Sequence, residues 1–449
     1  MSVLQRFPRL NNLWMDAKHR ISHRLARREQ SFSREFSIDD PRPVVVVVID
    51  SLRVDHVSEF GYERPTTPTL DGVDAAAFPN AKAPAPWTFP SVPSILSGRY
   101  PHNHGGCFDT DPRDLSSEQF PNKPAPEVPM LPDLLSAAGY ETAMVTAIPM
   151  AERAVGDRFD TVSVKYTDAE ERVETAIDWL RGRDQPFLHL QLGDPHAPLD
   201  IPDRHRETFD VPDIEGVEDW RFRETTDGEG FEAYRDARTR AYDASIRGSD
   251  DALGGLFGVL PDDAVVVVCS DHGEALWDHP ELERELNEDP RGYYATDHGH
   301  SVLGELTDVP LWIRAPGVCG DTEKVSLIDI APTVLTAIGA KGTLEVDGTP
   351  LQGDTRQRPL PVLSEETGYG YNQRAVWVGD EKGVSIPETG QERRFDLNED
   401  PCELDPRKGL NSSLKSAFLK FDFGEESGGK KMEVDDATKD RLEELGYLE

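Results

Sequence analysis

The chain has 449 residues, with 84 Asp and Glu against 48 Lys and Arg and a formal net charge of −36. That length buries a large core and suits more than one domain-sized unit, while no run approaches the ~18 consecutive apolar residues of a membrane-spanning helix. The charge excludes a generic nucleic-acid binder, which a phosphate backbone would repel, and the Val, Ile and Leu runs exclude a globally disordered chain.

Residues 1–38 differ from the rest. They carry Arg6, Arg9, Lys18, Arg20, Arg24, Arg27, Arg28 and Arg34, with Leu10, Leu13, Trp14, Ala17, Ile21 and Leu25 at helical spacing. This extension reads as a basic helix that could lie on a membrane surface, on a partner, or on the protein's own acidic surface. No apolar signal core accompanies it, and Arg27-Arg28 is followed by Glu29-Gln30-Ser31, so the expected location is the cytoplasm, with membrane association through residues 1–38 left open. Cys107, Cys269, Cys319 and Cys402 form no CxxC pair and read as buried or incidental thiols. Elsewhere, carboxylates are scattered through every segment and the basic residues are mostly Arg. Dispersed surface carboxylate keeps a protein hydrated in concentrated salt, so a halophilic, archaeal cytoplasm is expected.

From about residue 40 the pattern is α/β. Val44–Ile49 is a continuous apolar run, as in a strand buried on both faces of a parallel sheet. Ala143–Thr146, Phe187–Leu192, Ala264–Cys269 and Val309–Ile313 read the same way. Helical periodicity lies between them at Leu131–Ala138, Glu170–Leu180 and Arg235–Phe257. This alternation predicts a doubly wound, mostly parallel central sheet with helices on both faces, over residues 39–340. Residues 341–449 predict a small C-terminal α+β subdomain. It has strands near Ala375–Val378 and Gly383–Ile386, a flexible stretch near 411–431 and a terminal helix at about 435–446.

Apolar runs deliver aspartates. Asp50 ends the first; Asp194 follows another, with His196 two residues on; Ser270-Asp271-His272 follows a third. Ligands of open α/β sheets bind beyond the carboxyl ends of the strands, where such residues could build a divalent-metal site, although a lone strand-end Asp is more often a helix cap. In Pro86 to Pro101 a helix is predicted from Pro90 or Ser91. Thr88 then stands at or just before its N-terminus, where the dipole favours a developing anion and a hydroxyl could serve as nucleophile.

These segments together resemble the sulfatase branch of the alkaline phosphatase superfamily, from about residue 43 to 449. Asp50-Ser51-Leu52-Arg53-Val54-Asp55-His56 is similar to the family's opening strand and loop. Thr88 through Arg99 follows the sulfatase signature in register, ending Leu96-Ser97-Gly98-Arg99. Ser270-Asp271-His272-Gly273-Glu274 resembles the second metal motif, and Phe395 through Glu403 and Leu445-Gly446-Tyr447-Leu448 resemble C-terminal landmarks. The resemblance implies Asp50, Thr88, Asp271 and His272 as metal ligands. The imidazole among them tilts the choice toward Mn²⁺ or Zn²⁺, with Mg²⁺ or Ca²⁺ as alternatives. It implies His196 as the histidine on the substrate side, and His298 and His300 as oxyanion binders, acids or ligands of a second metal, for which Asp194 is a further candidate; His279 is a weaker one.

The departures matter equally. True sulfatases carry Cys or Ser at the Thr88 position, which becomes formylglycine; threonine cannot, so no formylglycine is expected. The arginine expected four residues later is Val92. The Thr88 arrangement is that of relatives acting on phosphorus. The reading is a metal-dependent hydrolase of sulfate or phosphate esters, phosphate mono- and diesters favoured, working through a covalent Thr88 intermediate with His196 or His300 assisting. The alternative is a transferase that passes the group to a sugar or lipid acceptor, and a third reading is an inactive anion-binding relative. The substrate is a small-molecule, sugar or lipid ester.

Overall fold

The computed structural model describes residues 36–108, 120–220, 228–320, 323–342, 344–353 and 361–423. Residues 1–35 of the basic N-terminal stretch, residues 424–431 of the stretch expected to be flexible, and the helix expected at about 435–446 lie outside these. Strands β1 (Val44–Ile49), β2 (Ala76–Lys82), β3 (Glu141–Thr146), β4 (Thr161–Val164), β5 (Pro186–Leu192), β6 (Val265–Cys269), β7 (Asp308–Arg314) and β8 (Val325–Ser326) form one eight-stranded sheet in the order β8-β2-β7-β6-β1-β5-β3-β4. Five consecutive valines and an isoleucine make β1: branched side chains favour the extended backbone, and a run without alternation suits burial on both faces. Val44, Val46 and Val48 enter one core; Val45, Val47 and Ile49 enter the other.

Helices cover both faces. Helices α1 (Thr88–Ser97), α2 (Leu131–Ala137), α3 (Pro149–Val155) and α6 (Ile330–Ala337) pack on the first core, and α4 (Ala169–Leu180) and α5 (Phe231–Phe257) on the second. β1 runs parallel to its neighbours β5 and β6. Its C-terminal end therefore opens on the same edge as theirs, which collects Asp50, the Asp194–His196 loop and Asp271-His272 at one rim.

Two strand expectations need correction. Val309–Ile313 lies in the sheet, but β7 runs antiparallel to β6 and β2; an apolar run records burial on two faces and carries no direction. The sheet also contains β2, which the sequence reading passed over because Pro79 and Asn80 interrupt its pattern. Pro79 falls where the β7 register shifts, between Val309 and Leu311, a place where a missing N–H is tolerated.

The C-terminal part is a five-stranded antiparallel sheet of β9 (Val362–Ser364), β10 (Arg374–Val378), β11 (Glu381–Ile386), β12 (Gln391–Asp396) and β13 (Arg407–Lys408). The stretch expected to be flexible near 411–431 begins instead with a helix, α7 (Ser412–Phe418). It is capped by the Asn411 side chain on the Leu414 N–H, and Leu414 is fully buried. Leu414 and Ala417 share a cluster with Leu363, Val376, Tyr100 and Ile328, which joins this sheet to the α/β unit. The Phe395–Glu403 motif has a structural role. Glu403 accepts from the buried Lys382 ammonium at 2.7 Å and from the Gly304 N–H at 3.2 Å, so the hairpin sheet is pinned to the short helix Gly304–Thr307 that leads into β7. No helix among the described residues is long and apolar enough to cross a membrane.

Candidate active site

At the rim, Asp50, Asp271 and His272 are fully buried, and one ligand atom from each lies within 4.8 Å of the other two. Thr88 is the first residue of α1, ahead of the Pro90 or Ser91 start that the sequence suggests. Its Oγ1 lies 3.1 Å from His272 Nε2 and 3.3 Å from Asp50 Oδ2. His272 Nδ1 donates to the Gly273 carbonyl at 2.8 Å, which fixes the tautomer and turns the Nε2 lone pair toward Thr88. Asp50 is held by Ser51, whose Oγ donates to Asp50 Oδ1 at 3.0 Å. Ser51 has φ 60, in the left-handed region, and the Tyr242 hydroxyl clamps its carbonyl at 2.5 Å. Such strain is retained only where the surroundings over-determine it.

The electrostatics of this cluster are unbalanced. Burial, aided by the Asp50 charge, drives the Asp271 carboxyl far above its usual range. Burial also opposes ionisation of Asp50, but the imidazoles of His272, His196 and His298 outweigh it and hold that carboxyl below the usual range. Two carboxylates in one dry site cannot both ionise without a counter-charge. The donor set of two carboxylates and an imidazole, with a hydroxyl beside them, is what a divalent cation requires.

Gln191 on β5 was not singled out from the sequence. Its side-chain amide donates to Asp50 Oδ2 at 2.8 Å and to Asp271 Oδ2 at 3.2 Å, bridging the carboxylates. The available signal was a polar residue inside a strand whose every position is buried. Gly273 is required for another reason: a Cβ there would meet the Glu305 carbonyl oxygen at 1.9 Å.

The remaining candidates divide. The His196 ring lies 5.0 Å from that of His298, which lies 4.4 Å from that of His272, so these three imidazoles share the site. Trp220 stands 5.3 Å from His196. His300 is engaged elsewhere: its Nε2 lies 2.9 Å from Glu283 Oε2, which, against the effect of burial, raises the imidazole to about 9. Asp194 does not join the Asp50, Asp271 and His272 group. Its Oδ1 accepts from the Ala169 N–H at 3.0 Å, at the start of α4, and burial pushes the carboxyl up to about 7. Asp168 caps that helix through its side chain on the Glu171 N–H, and Asp194 supports the same helix start from the rim of the sheet.

His279 also serves structure. Its Nδ1 lies 2.9 Å from Glu305 Oε1, and its Nε2 lies 2.8 Å from the Cys402 carbonyl. Burial works against its charge, but Glu305 raises it from 6.5 to about 9. A folded-state value above the unfolded one stabilises fully below pH 6.5, and that stabilisation fades as pH rises through 9. His279→Gln should therefore cost up to ~3 kcal/mol at pH 6 and little at pH 10. Denaturant melts at the two pH values check this, and equal losses would contradict it.

With this geometry in hand, the chain's relations are clear. Residues 42–340 match the family model described as Sulfatase. The chain belongs to the sulfatase family. It sits in the alkaline phosphatase superfamily, with that superfamily's fold. The chain is 27% identical over 291 residues to the low-salt glycan biosynthesis sulfotransferase Agl7 of Haloferax volcanii, covering 63% of this chain and 60% of the relative. It is 27% identical over 300 residues to the multifunctional alkaline phosphatase superfamily protein PehA of Trinickia caryophylli, covering 57% and 53%. The chain thus spans less than two thirds of the length of these relatives. Among solved structures, the phosphonate monoester hydrolase of Agrobacterium radiobacter superposes with a TM-score of 0.64 at 17% identity, over 84% of this chain and 94% of that one. This sulfatase-family member therefore has a curated relative named as a sulfotransferase and shares its fold with a protein named as a hydrolase.

Proposed function

We propose that this sulfatase-family chain cleaves phosphate mono- or diesters, in preference to sulfate esters, through a covalent intermediate on Thr88. The observation that carries the reading is the Thr88 hydroxyl at the first residue of α1, within 3.3 Å of both His272 and Asp50. Asp50, Asp271 and His272 would hold the divalent cation, with Thr88 beside them. When bound, it would supply Lewis-acid activation of that hydroxyl, and the imidazole favours Mn²⁺ or Zn²⁺.

The chain's own groups do the rest. Thr88 releases its hydroxyl proton to solvent, its Oγ1 forms the bond to phosphorus as the ester oxygen departs, and in this reading His196 gives that oxygen a proton. The unpaired N–H groups of the first turn of α1 favour the negative charge of the transferred group. Water then attacks phosphorus, breaks the Thr88 ester and returns a proton to Thr88. A formylglycine hydrate expels its ester by collapsing to the aldehyde; a threonine ester cannot, so the second step needs an external nucleophile.

That nucleophile could equally be a sugar or lipid alcohol, a reading favoured by the likeness to a relative named as a sulfotransferase. A panel separates the two. Purified protein with Mn²⁺ or Zn²⁺ is assayed against aryl phosphate, aryl phosphodiester and aryl sulfate, with and without an alcohol acceptor. Fastest release from a phosphoester without acceptor supports hydrolysis on phosphorus, strict acceptor dependence supports transfer, and turnover of the sulfate alone contradicts the phosphorus preference.

We propose further that the protein works in concentrated salt, from the net charge of −36 spread over the chain. Screening of surface carboxylates within a ~3 Å Debye length near 1 M salt should keep the fold intact in molar KCl, and dilution should unfold it. A far-UV circular dichroism titration in KCl reads this out, and a salt-independent spectrum would contradict it.

A further inference from the structure

Two polar side chains point inward from the core strand β5. His189 and Gln191 are both fully buried, and their i, i+2 spacing puts them on one face of the sheet. Their register partners on β1 are Val46 and Val48, which belong to the core beneath α1. The strand therefore aims both side chains to the side on which Thr88 lies. The third residue of that face, Phe187, is an ordinary member of the same core. Burying an amide and an imidazole in such a place is costly unless each finds partners, and a break in local pattern of this kind is expected where function demands it.

The partners are specific. The Gln191 side-chain nitrogen carries two hydrogens, and it lies 2.8 Å from Asp50 Oδ2 and 3.2 Å from Asp271 Oδ2. Turned the other way, the amide would set its carbonyl oxygen against two carboxylates, so the nitrogen must face them. Its Oε1 then faces back along the strand, 3.4 Å from His189 Nε2, which assigns the imidazole hydrogen to that nitrogen. His189 Nδ1 has no partner among the described residues. The other oxygens of the two acids are held by their chain neighbours: Ser51 Oγ donates to Asp50 Oδ1 at 3.0 Å, and the His272 N–H donates to Asp271 Oδ1 at 3.2 Å. Gln191 is thus a neutral donor that reaches both acids from a different strand.

We infer that Gln191 is a positioning residue of the cation site: it holds the Asp50 and Asp271 carboxylates together before a cation arrives, and His189 orients its amide. The inference rests on the reading above that Asp50, Asp271 and His272 hold a divalent cation. Two carboxylates in a dry site repel each other. One donated hydrogen to each counters that repulsion, and the amide adds no charge of its own. An apolar side chain of similar size would fill the volume but would leave the carboxylates free to turn apart or to share a proton, so a cation would first have to reassemble them.

Binding of Mn²⁺ alone tests this, with no turnover in the readout. Full-length protein stripped with chelator is titrated with Mn²⁺, and the free ion is followed by its electron paramagnetic resonance signal. Gln191→Leu should bind Mn²⁺ ~10–100-fold more weakly than the wild type while keeping the wild-type far-UV circular dichroism spectrum. Should that variant fail to fold, Gln191→Met, unbranched and of the same length, reads the same contact. His189→Phe should weaken binding in the same direction by a smaller factor. Wild-type affinity in folded Gln191→Leu or Gln191→Met overturns the inference, and wild-type affinity in His189→Phe removes the imidazole from it. Asp271→Asn in parallel separates this result from the site itself. If it binds Mn²⁺ as tightly as the wild type, the cation-site reading fails; a loss there with none in the Gln191 variants refutes the positioning role alone.

Discussion

Thr88→Ala is expected to lower kcat/KM by at least ~10³-fold while the protein stays folded. Removing a nucleophile deletes the step on which everything downstream depends, and residues that act as a unit lose most of their effect together. The structural cost is small. Thr88 is buried, but its side chain is short, and losing one hydroxyl and one methyl costs about 1 kcal/mol. The α1 backbone is held independently, since Ser91 Oγ donates to the Asp271 carbonyl at 2.7 Å. Thr88→Ser keeps an oxygen at the same point and should retain a large part of the rate. Thermal melts beside the kinetics complete the measurement; full turnover in the Ala variant would remove Thr88 from the chemistry.

The second large effect concerns Asp271. In the metal-free protein burial and then the Asp50 charge push its carboxyl above the usual carboxylate range, which disfavours the charged form, and Asn is a neutral replacement of the same size. A bound divalent cation demands the ionised form. Mn²⁺ at 100 times its dissociation constant should stabilise the wild type by ~2.7 kcal/mol, which raises the melting temperature by several degrees. Asp271→Asn should melt near the metal-free wild type, shift much less with Mn²⁺ and lose at least ~10³-fold in turnover. A variant that melts far below the metal-free wild type, or one that gains as much from Mn²⁺, would contradict this account of the site.

Much of the site was legible in the sequence because it rests on local grammar. Asp50 and Asp271-His272 end apolar runs, and parallel strands bring such ends to one rim. Thr88 opens a helix that Pro90 marks at its first turn. What escaped depends on non-local pairing. Gln191 bridges Asp50 and Asp271 from inside a strand whose pattern says only that it is buried. Asp194 and His300 carried the right chemistry at the right place in the chain, but each had a closer partner, the start of α4 in one case and Glu283 in the other. The direction of β7 was likewise beyond reach, since burial on both faces is the same for either direction.

One measurement tests the double displacement most directly: the stereochemical course at the transferred atom. A chirally labelled ester is turned over by the metal-loaded protein and the product's configuration is determined. Attack by Thr88 followed by release to water or an alcohol inverts the centre twice, so the account predicts overall retention. Net inversion would show a single in-line attack by the final acceptor and would contradict a covalent Thr88 intermediate.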